Sequence, residues 1–530
     1  MPKWEKFKTK DTLVLIGSIV IILIVGTLLF FKLNKFPNVF LDEGNGFYDS
    51  YSLSKYGLDS NLIKNPVYLI GFSGNGQSIM YALVSGFFMH VFGYSIFIYR
   101  LPMVLINLTN LIIWLIVSRK KWGIRYSFWI VLVLSTSPYL FTISRYGMDC
   151  NFSPFIFSIG LALLIYALDE ERKFNKTIKI SFAYVIFGIT AYSYNVSWLY
   201  LPIFVFVSSI VIVKSKKVSL AELTFPILVL LVEEIPIILF AIRSNIAKFN
   251  ETKTILFWTS PSITGRAGDS LVNFNGNILT EIIHNLHAGL NMLLSGSDGL
   301  QWNSVGNFGP YYLFTLPLFI IGLYFVCKVD SIEFKLILVS LLSNFLILLV
   351  VKPNYNHWIF LHIPILLVIS VGILNVTKSS KIVMISLIIT YLISFSNFLT
   401  QYYTNDRYTG WEFRTLSGIR SLDANKHNKV YLEISDPNLI YILRVADPKS
   451  PYIFQKTKDH PYSTKYIEAK KTYSNYVRIK GLSNEKKYSK NSVFVLKDDF
   501  NNRQYVKKHK LKYVREITFE KVKYSVFVNS

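Results

Sequence analysis

Long apolar runs dominate the sequence, and they constrain its fold more than any other feature. Eleven runs of about 20 residues follow one another between residues 12 and 399, with Lys and Arg clusters between them. Each run is long enough to cross roughly 30 Å of hydrocarbon as a helix. Only 17% of the residues are charged and the mean hydropathy is +0.38, which excludes a fully soluble multidomain enzyme and a disordered chain. We therefore predict a polytopic α-helical membrane protein.

The basic residues between these runs predict how the chain is oriented. The predicted spans are residues 12–31, 97–117, 126–143, 152–168, 178–195, 197–213, 223–242, 309–327, 335–351, 358–376 and 382–399. The first run is too long for a signal-peptide core and lacks a small-residue cleavage site, so we interpret it as a signal anchor with a cytoplasmic N-terminus. Alternating spans then place every strongly basic short loop in the cytoplasm. The stretch 77–92 is short and lacks cationic flanks, which favours an interfacial helix.

This topology leaves two long loops and a tail outside the cytoplasm. Residues 1–400 form the membrane domain, with outer loops 33–96 and 243–308, and residues 401–530 form a small α/β domain. The tail contains the short β-rich runs KVYLEIS, LIYILRV, NSVFVLK and YSVFVNS. Its Lys and Arg residues outnumber Asp and Glu about two to one, which fits either a polyanionic partner or a solvated basic face.

Net charge and cysteine content exclude two further classes of function. The net charge is +24, but most cationic residues before residue 400 lie in short loops, where they set topology and do not indicate a nucleic-acid partner. The two cysteines, Cys150 and Cys327, are predicted on opposite membrane faces. This placement excludes a disulfide and a cysteine metal site.

Acidic residues stand at two places on the outer membrane boundary. Asp42 and Glu43 follow the first span; adjacent residues do not share a helix face, so one can act while the other supports or binds. The alternative is a solvated pair that begins an interfacial helix. Asp149 and Arg145 lie in the turn between the third and fourth spans, at the edge of the hydrocarbon. Both face a desolvation cost there, and an Asp at a helix centre costs about 2.5–3.5 kcal/mol, so neither is expected to face lipid. They either pair with each other or line a polar cavity.

The remaining candidates lie in the second outer loop and in the last outer turn. Arg266 suits contact with phosphate, which guanidinium groups bind through paired hydrogen bonds. Asp298 and Asn303 accompany Trp302, an aromatic ring on which a sugar can stack. His357 precedes the tenth span and is either a polar ligand contact or an interfacial belt residue.

The order of these short motifs resembles that of one enzyme family. The Asp-Glu pair is followed by Pro66, an interfacial helix, FGYS at 92–95, YRLP at 99–102, and then Ser144-Arg145, Asp149 and Asn151. Over about residues 10–400 this arrangement resembles the GT-C membrane glycosyltransferases, specifically the group of protein O-mannosyltransferases and lipid A aminoarabinose transferases, which is glycosyltransferase family 39 with its bacterial relatives. Here Asp149 precedes Cys150-Asn151 and not a proline, and the candidate for the lysine that meets lipid phosphate, Lys64, is slightly displaced.

The resemblance implies a fold and a set of residue roles. The fold is an all-α polytopic membrane protein of the GT-C type with about eleven transmembrane helices, interfacial helices in the first outer loop and a small extracytoplasmic C-terminal α/β domain. Asp42 is the implied catalytic base, Glu43 occupies the neighbouring acidic position, and Asp149 shapes the acceptor and catalytic pocket. The candidate substrate-binding residues are Arg145, Lys64, Arg266, Asp298, Asn303 and His357.

The expected reaction moves a sugar from a polyprenyl-phosphate carrier to an extracytoplasmic acceptor. Such a transfer needs a base for the acceptor hydroxyl and hydrogen-bond donors for the leaving phosphate. The expected partners are the lipid-linked donor, the bilayer, and a teichoic acid, another surface glycan, a lipid or a protein as acceptor. We expect a multi-pass plasma-membrane protein that requires no cofactor, with a divalent cation left open.

A rival hypothesis depends on Glu233 and Glu234, which lie within the seventh predicted span. Ionisable residues at that depth are functional candidates, and a transporter or lipid flippase could use them as a proton-linked switch. They could equally be neutral or internally paired. The long outer loops and the folded outer domain favour the enzyme.

Overall fold

The computed structural model describes residues 9–71, 74–246, 251–263, 270–300, 302–404, 410–453, 472–483 and 488–529. Within these ranges, eight helices are long and apolar enough to cross a membrane: Asp11–Phe30, Ile96–Trp122, Asp149–Ala167, Ser197–Lys214, Leu220–Ser244, Ile332–Val350, Ile359–Thr377 and Lys381–Thr404. Shorter apolar helices occupy Met80–Phe92, Ile124–Ser135 and Leu313–Lys328. The prediction of a mostly helical membrane protein is confirmed, whereas the count of eleven spans stays a prediction.

Each predicted span overlaps one helix or two consecutive helices. The helices are α1 (Thr9–Phe30), α2 (Leu41–Tyr56), α3 (Met80–Phe92), α4 (Ile96–Trp122), α5 (Ile124–Ser135), α6 (Pro138–Ile143), α7 (Asp149–Ala167), α8 (Lys173–Ala191), α9 (Ser197–Lys214), α10 (Leu220–Ala241), α11 (Ile278–Ser295), α12 (Leu316–Lys328), α13 (Ile332–Leu342), α14 (Phe345–Val350), α15 (Ile359–Thr377), α16 (Lys381–Thr404), α17 (Phe413–Arg420), α18 (Leu439–Ala446) and α19 (Phe500–Lys508). The strands are β1 (Leu69–Ile70), β2 (Gly76–Gln77), β3 (Lys253–Ile255), β4 (Trp258–Ser260), β5 (Lys429–Leu432), β6 (Thr472–Tyr473), β7 (Tyr476–Arg478), β8 (Ser492–Leu496), β9 (Lys512–Phe519) and β10 (Val522–Asn529).

Two predicted spans are interrupted by polar residues. The span 126–143 breaks before Ser137, whose hydroxyl accepts a hydrogen bond from the Leu140 amide, with Pro138 opening the next helix. The span 335–351 breaks at Asn344, whose side chain donates to the Phe360 carbonyl 3.3 Å away. In both places a polar side chain takes over backbone hydrogen bonds, so the helix ends within an apolar run.

Ion pairs bring three basic loops together at one end of the bundle. Lys121, at the end of α4, lies 2.6 Å from Asp169 after α7 and 2.9 Å from Glu333 in the first turn of α13. At the opposite end, Arg145 contacts the last turns of α1 and α16, at Leu29 and Tyr402. The ends of α4 and α7 and the start of α13 therefore lie together at one end of the bundle, and the ends of α1 and α16 lie together at the other.

Helix α3 has one face packed on protein and one apolar face exposed. The hydroxyl of Ser85 lies 2.9 Å from that of Ser50 in α2, so small residues form the packed face. The exposed face contains Leu83, Phe87, Val91 and Phe92. A helix of 13 residues with these two faces agrees with the predicted interfacial helix. Helix α11, which the sequence did not predict, likewise exposes Leu279, Ile283, Leu286, Leu290 and Leu294.

The C-terminal region folds into the predicted α/β domain. Six strands form one mixed sheet in the order β6-β7-β5-β8-β10-β9, in which β5 is parallel to both of its neighbours. The strand predicted at LIYILRV is wrong, because these residues belong to helix α18. All eight residues of α18 are buried, so the segment shows no polar face whose period would separate a helix from a strand.

Candidate active site

A cavity of about 440 Å³ lies where both outer loops meet the end of the bundle. Its wall includes Asp42, Tyr68 and Gln77 from the first outer loop, Asp149 and Cys150 from α7, Tyr194, Asn195 and Trp198 around the start of α9, Leu300 and Trp302 from the second outer loop, and Asn354, Asn356 and His357 before α15. Carboxylates, amides and aromatic rings converge here from distant parts of the sequence. Such a wall suits a polar ligand that also presents flat apolar faces, as a sugar does.

Asp42 stands at the cavity wall in the first turn of α2. A carboxylate in the first turn of a helix is stabilised by the positive end of the helix dipole. Asp42 is half-buried, whereas residues 43–50 of α2 are buried. Asp42 is therefore the residue of this helix that a ligand in the cavity can reach.

Asp149 reaches the same cavity from the start of α7. Its Oδ2 accepts a hydrogen bond of 2.7 Å from the backbone N–H of Ser78, which follows β2. This contact fixes the orientation of the carboxylate. Asp42 and Asp149 are 107 residues apart in the sequence, and both line this cavity.

Glu43 lies on the other side of α2, away from the residues that line the cavity. Its carboxylate forms a bidentate ion pair with Arg100, with distances of 2.7 and 2.6 Å, and both side chains are fully buried. Its Oε1 also accepts a hydrogen bond of 2.7 Å from the Gly147 amide. Glu43 therefore joins α2, α4 and the turn before α7, and the geometry gives it a supporting position next to Asp42.

Arg145 fits neither of its two predicted arrangements. Its guanidinium donates to four backbone carbonyls at and beyond the end of α1, those of Leu28, Leu29, Phe31 and Phe36. Its Nε also donates to the hydroxyl of Tyr402. Within the described ranges, the structure shows no ion pair between Arg145 and Asp149, and Arg145 does not line the cavity. The carbonyls that end a helix lack intrahelical donors, and Arg145 supplies them for α1.

Asp298 and Asn303 shape the loop that carries Trp302. The carboxylate of Asp298 accepts hydrogen bonds from the Asn303 side chain at 2.7 Å and from the Tyr355 amide at 2.9 Å. Burial raises the pKa of Asp298, and these hydrogen bonds act in the opposite direction. Trp302 lines the cavity, and its ring packs 4.4 Å from that of Phe40. Asp298 and Asn303 thus hold the loop, while Trp302 faces the ligand space.

The other three candidate binding residues lie in different surroundings. His357 lines the cavity, and its Nδ1 lies 2.8 Å from the Lys352 carbonyl. Lys64 is exposed and does not line the cavity. Arg266 lies outside the described residues.

Comparison with known proteins gives similarity in structure only. No protein family and no curated protein matches the sequence. The structure resembles ArnT from Cupriavidus metallidurans in the apo state, with a TM-score of 0.55, 12% identity, and coverage of 97% of this chain and 98% of ArnT. ArnT bound to undecaprenyl phosphate gives a TM-score of 0.54 at 12% identity, with coverage of 96% and 98%. The oligosaccharyltransferase of Archaeoglobus fulgidus in the apo form gives 0.51 at 11% identity, with coverage of 81% and 64%.

The chain has the GT-C fold. The likeness extends over nearly the whole length of both ArnT and this chain, so the C-terminal sheet domain is included in it. At 12% identity it concerns the fold, and the predicted resemblance is confirmed at that level.

Several residues of this GT-C cavity were not predicted from the sequence. Gln77, Asn195, Asn354 and Asn356 all line the wall. Each is an uncharged polar residue next to the outer end of a predicted span or helix. That position is a signal that could have identified them, because polar side chains at the ends of apolar helices commonly face a shared polar space.

An apolar groove of about 610 Å³ begins beside the GT-C cavity and runs between α8, α9 and α10. Trp198 contributes to both the cavity and the groove. Glu234 lines the groove, and the carboxylate of Glu233 packs against Gly188 of α8. Neither glutamate lines the cavity.

Metal-binding geometry is absent from the part of the chain that the structure describes. There, no group of three or more His, Cys, Asp or Glu side chains is placed to hold a metal ion. Asp42 and Asp149 are the acidic residues of the cavity wall.

Proposed function

We propose that this protein is a membrane glycosyltransferase that moves a sugar from a polyprenyl-phosphate carrier to an acceptor outside the cytoplasm. The observation that carries the proposal is the convergence of Asp42 and Asp149 on one cavity, with an apolar groove opening beside it. The GT-C fold supports it, because the structures of similar fold include ArnT bound to undecaprenyl phosphate.

Asp42 is proposed as the general base. Its carboxylate takes the proton of the acceptor hydroxyl while the acceptor oxygen forms a bond to the anomeric carbon of the sugar. The bond between that carbon and the phosphate oxygen breaks, and the lipid phosphate leaves with the bonding electrons. Positioned base catalysis of this kind is typically worth about 10²–10⁴-fold in rate.

Asp149 is proposed to orient the acceptor and to stabilise positive charge on the sugar. Glycosyl transfer proceeds through a transition state in which the ring resembles an oxocarbenium ion. A carboxylate whose orientation is fixed by the Ser78 amide can face that charge without reorganising. Asp149 would thus act electrostatically, while Asp42 accepts the proton.

The groove is proposed to hold the prenyl chain of the donor. Its wall consists mainly of Leu, Ile, Val, Phe and Pro side chains from α9 and α10. Trp198 joins it to the cavity, so a lipid in the groove would present its phosphate at the cavity mouth. His357 and Arg266 are the proposed phosphate contacts, whereas Lys64 is exposed away from this wall.

The orientation of the enzyme is also a proposal. The loops joined through Lys121 lie at the end of the bundle opposite the cavity. Basic loops remain in the cytoplasm, so this end would be cytoplasmic and the cavity and the C-terminal domain would lie outside.

The transporter alternative is supported by one observation, the position of Glu234 in the groove. A proton-linked switch would make Glu233 or Glu234 essential. It would not require Asp42 and Asp149 to meet in a cavity outside the membrane bundle.

Reconstitution of the full chain in liposomes tests the donor class. Undecaprenyl-phosphate sugars and the matching nucleotide sugars are supplied as separate radiolabelled donors, together with envelope extract as acceptor. We expect label to move to the acceptor only from the lipid-linked donors, and Leu201→Trp, which fills the groove, to raise KM for them. Transfer from nucleotide sugars alone would refute the proposal.

A further inference from the structure

The C-terminal domain contacts the chain on both sides of Asp42. Val39 and Trp411 exchange two backbone hydrogen bonds, of 3.0 and 2.8 Å. The Trp411 ring also covers Gly44, where an added Cβ would lie 2.5 Å from the ring. A single residue of the C-terminal domain therefore touches the positions three residues before and two residues after Asp42.

A second set of contacts lies farther along α2. The hydroxyl of Tyr48 donates to the Lys449 carbonyl at 2.6 Å, and that of Tyr51 donates to the Pro448 carbonyl at 3.2 Å. The guanidinium of Arg444, on α18, lies 4.0 Å from the centre of the Tyr48 ring. Because Tyr48, Tyr51 and Arg444 are all buried, these contacts form an interior between α2 and the C-terminal domain.

A hydrogen-bonded path connects this interior with the cavity wall. The side-chain amide of Asn45 donates at 3.2 Å both to Asp49 Oδ2 and to Gln77 Oε1, and Gln77 lines the cavity. Burial raises the pKa of Asp49, and the charge of Arg444 acts in the opposite direction. Arg444 thus opposes the effect of burial on Asp49, whose carboxyl group accepts the hydrogen bond that orients Asn45 and, through it, Gln77.

Helix α2 depends on these contacts for its position. Its sequence, LDEGNGFYDSYSLSKY, contains Gly44 and Gly46 and few good helix formers. A short helix of this composition gains its stability from packing against neighbours. The neighbours over its first half include Trp411, with Phe413 beside Arg100, the partner of Glu43.

We propose that the C-terminal domain is a positioning part of the active site, in which Trp411, with Arg444 as a second anchor, holds α2 so that Asp42 faces the cavity. Neither Trp411 nor Arg444 lines the cavity, so both act through α2 and not on substrate. The proposal relies on the function proposed above only for its activity measurement.

The kinetic test uses the full-length protein in which the Trp411 side chain is replaced. Trp411→Ala is expected to lower kcat at least tenfold while KM for the lipid-linked donor stays within about twofold, because a displacement of about 1 Å at a reacting group can cost about 10²-fold. Trp411→Phe, which keeps a ring over Gly44, is expected to retain most of kcat. Tyr513→Ala is the matched control, since Tyr513 is an exposed aromatic residue of the same domain that packs on Phe527.

A second measurement does not depend on activity. Hydrogen–deuterium exchange of the α2 amides is expected to be faster in Trp411→Ala than in the wild type, with exchange in α7 and α15 unchanged. In Gly44→Ala, the added methyl group pushes the Trp411 ring away from α2, so we expect the same exchange pattern. This variant replaces Trp411→Ala in the test if Trp411→Ala does not fold. If the wild type shows no transfer, the proposed function fails and exchange alone decides this inference. If the α2 amides of Trp411→Ala and Gly44→Ala exchange no faster than those of the Tyr513→Ala control, the proposed role of the C-terminal domain is wrong.

Discussion

Asp42 and Glu43 are neighbours in sequence, yet the fold gives them opposite surroundings. Glu43 is fully buried against Arg100, while Asp42 is half-buried at the cavity wall. A helix turns by about 100° per residue, so the two side chains cannot face the same way. The acidic pair therefore combines one carboxylate that a ligand can reach with one that holds the helix in place.

Replacing Asp42 separates the two hypotheses for function. Asp42→Asn keeps the shape and most hydrogen bonding but removes the proton acceptor, so we expect transfer to fall about 10²–10⁴-fold with donor binding retained. Asp149→Asn should be the next most damaging acidic change, and Glu233→Gln should be mild. Initial transfer rates and undecaprenyl-phosphate binding are the measurements. Loss of function in Glu233→Gln or Glu234→Gln with a near-normal Asp42→Asn would favour the transporter.

The Glu43–Arg100 pair should be important for stability. Removing one partner leaves the other charge buried without its partner, which typically costs about 3–5 kcal/mol. We expect Glu43→Gln and Arg100→Gln each to lower thermal stability in detergent strongly, and the double variant to lose less than the sum. Arg503→Gln breaks a surface ion pair with Asp498 and is the control, with a much smaller expected loss because water screens exposed ion pairs. If the double variant loses as much stability as the two single variants together, Glu43 and Arg100 do not stabilise the protein as a pair.

At the residue scale, the sequence predicted position better than role. Asp42 and Asp149 could be placed at the outer boundary from the ends of apolar runs, and both line the cavity. Arg145 could not be understood in this way, because four of its partners are backbone carbonyls at and just beyond the end of α1, more than 100 positions earlier. Carbonyls are present at every residue, so a contact with them leaves no mark in side-chain patterns.

At the element scale, α12 and α15 pack so closely that two glycines are required. A Cβ at Gly322 would lie 2.0 Å from the Val368 carbonyl oxygen, and a Cβ at Gly372 would lie 1.9 Å from that of Leu318. Small residues at helix contacts in a membrane let backbones approach, and packing there replaces the hydrophobic effect. This contact fixes α15, whose N-terminal approach carries His357 to the cavity.

Adding a methyl group at this contact should destabilise the bundle. Gly322→Ala and Gly372→Ala are each expected to cost about 1–3 kcal/mol, because the clash is with backbone and cannot be relieved by a rotamer change. Gly17→Ala is the matched control, since its Cβ would meet only a Phe128 ring atom at 3.7 Å. Thermal unfolding of the three purified variants, followed by tryptophan fluorescence, gives the comparison. Equal melting temperatures for all three would show that the helices are farther apart.

Elements were predictable where an apolar run is long and uninterrupted. The helices at 97–117 and 358–376 follow directly from such runs. Asn344 ends a helix through a side-chain bond to the Phe360 carbonyl, a tertiary contact that no local pattern contains. Helix α18 was mistaken for a strand because it is buried on every side.

At the scale of the whole molecule, the native cysteines allow a direct test of orientation. In a Cys150→Ser background, Cys327 is the only thiol, and it is exposed near the end of the bundle that carries the basic loops. We expect a membrane-impermeant maleimide to label Cys327 only after cells are permeabilised. Tyr513→Cys, added to a Cys150→Ser/Cys327→Ser chain, should be labelled in intact cells. Labelling of Cys327 in intact cells would show that the true orientation is the opposite of the proposed one.

The cavity wall draws on residues from Asp42 to His357. During synthesis the chain enters the membrane one span at a time, and domains complete only after their last parts have emerged. For most of that time no binding site exists, because Asn354, Asn356 and His357 have not yet been added to the wall, and the C-terminal contacts that position the helix carrying Asp42 come later still. A half-made chain therefore has no complete cavity in which to hold a ligand, and binding becomes possible only once the last parts of the chain have been added.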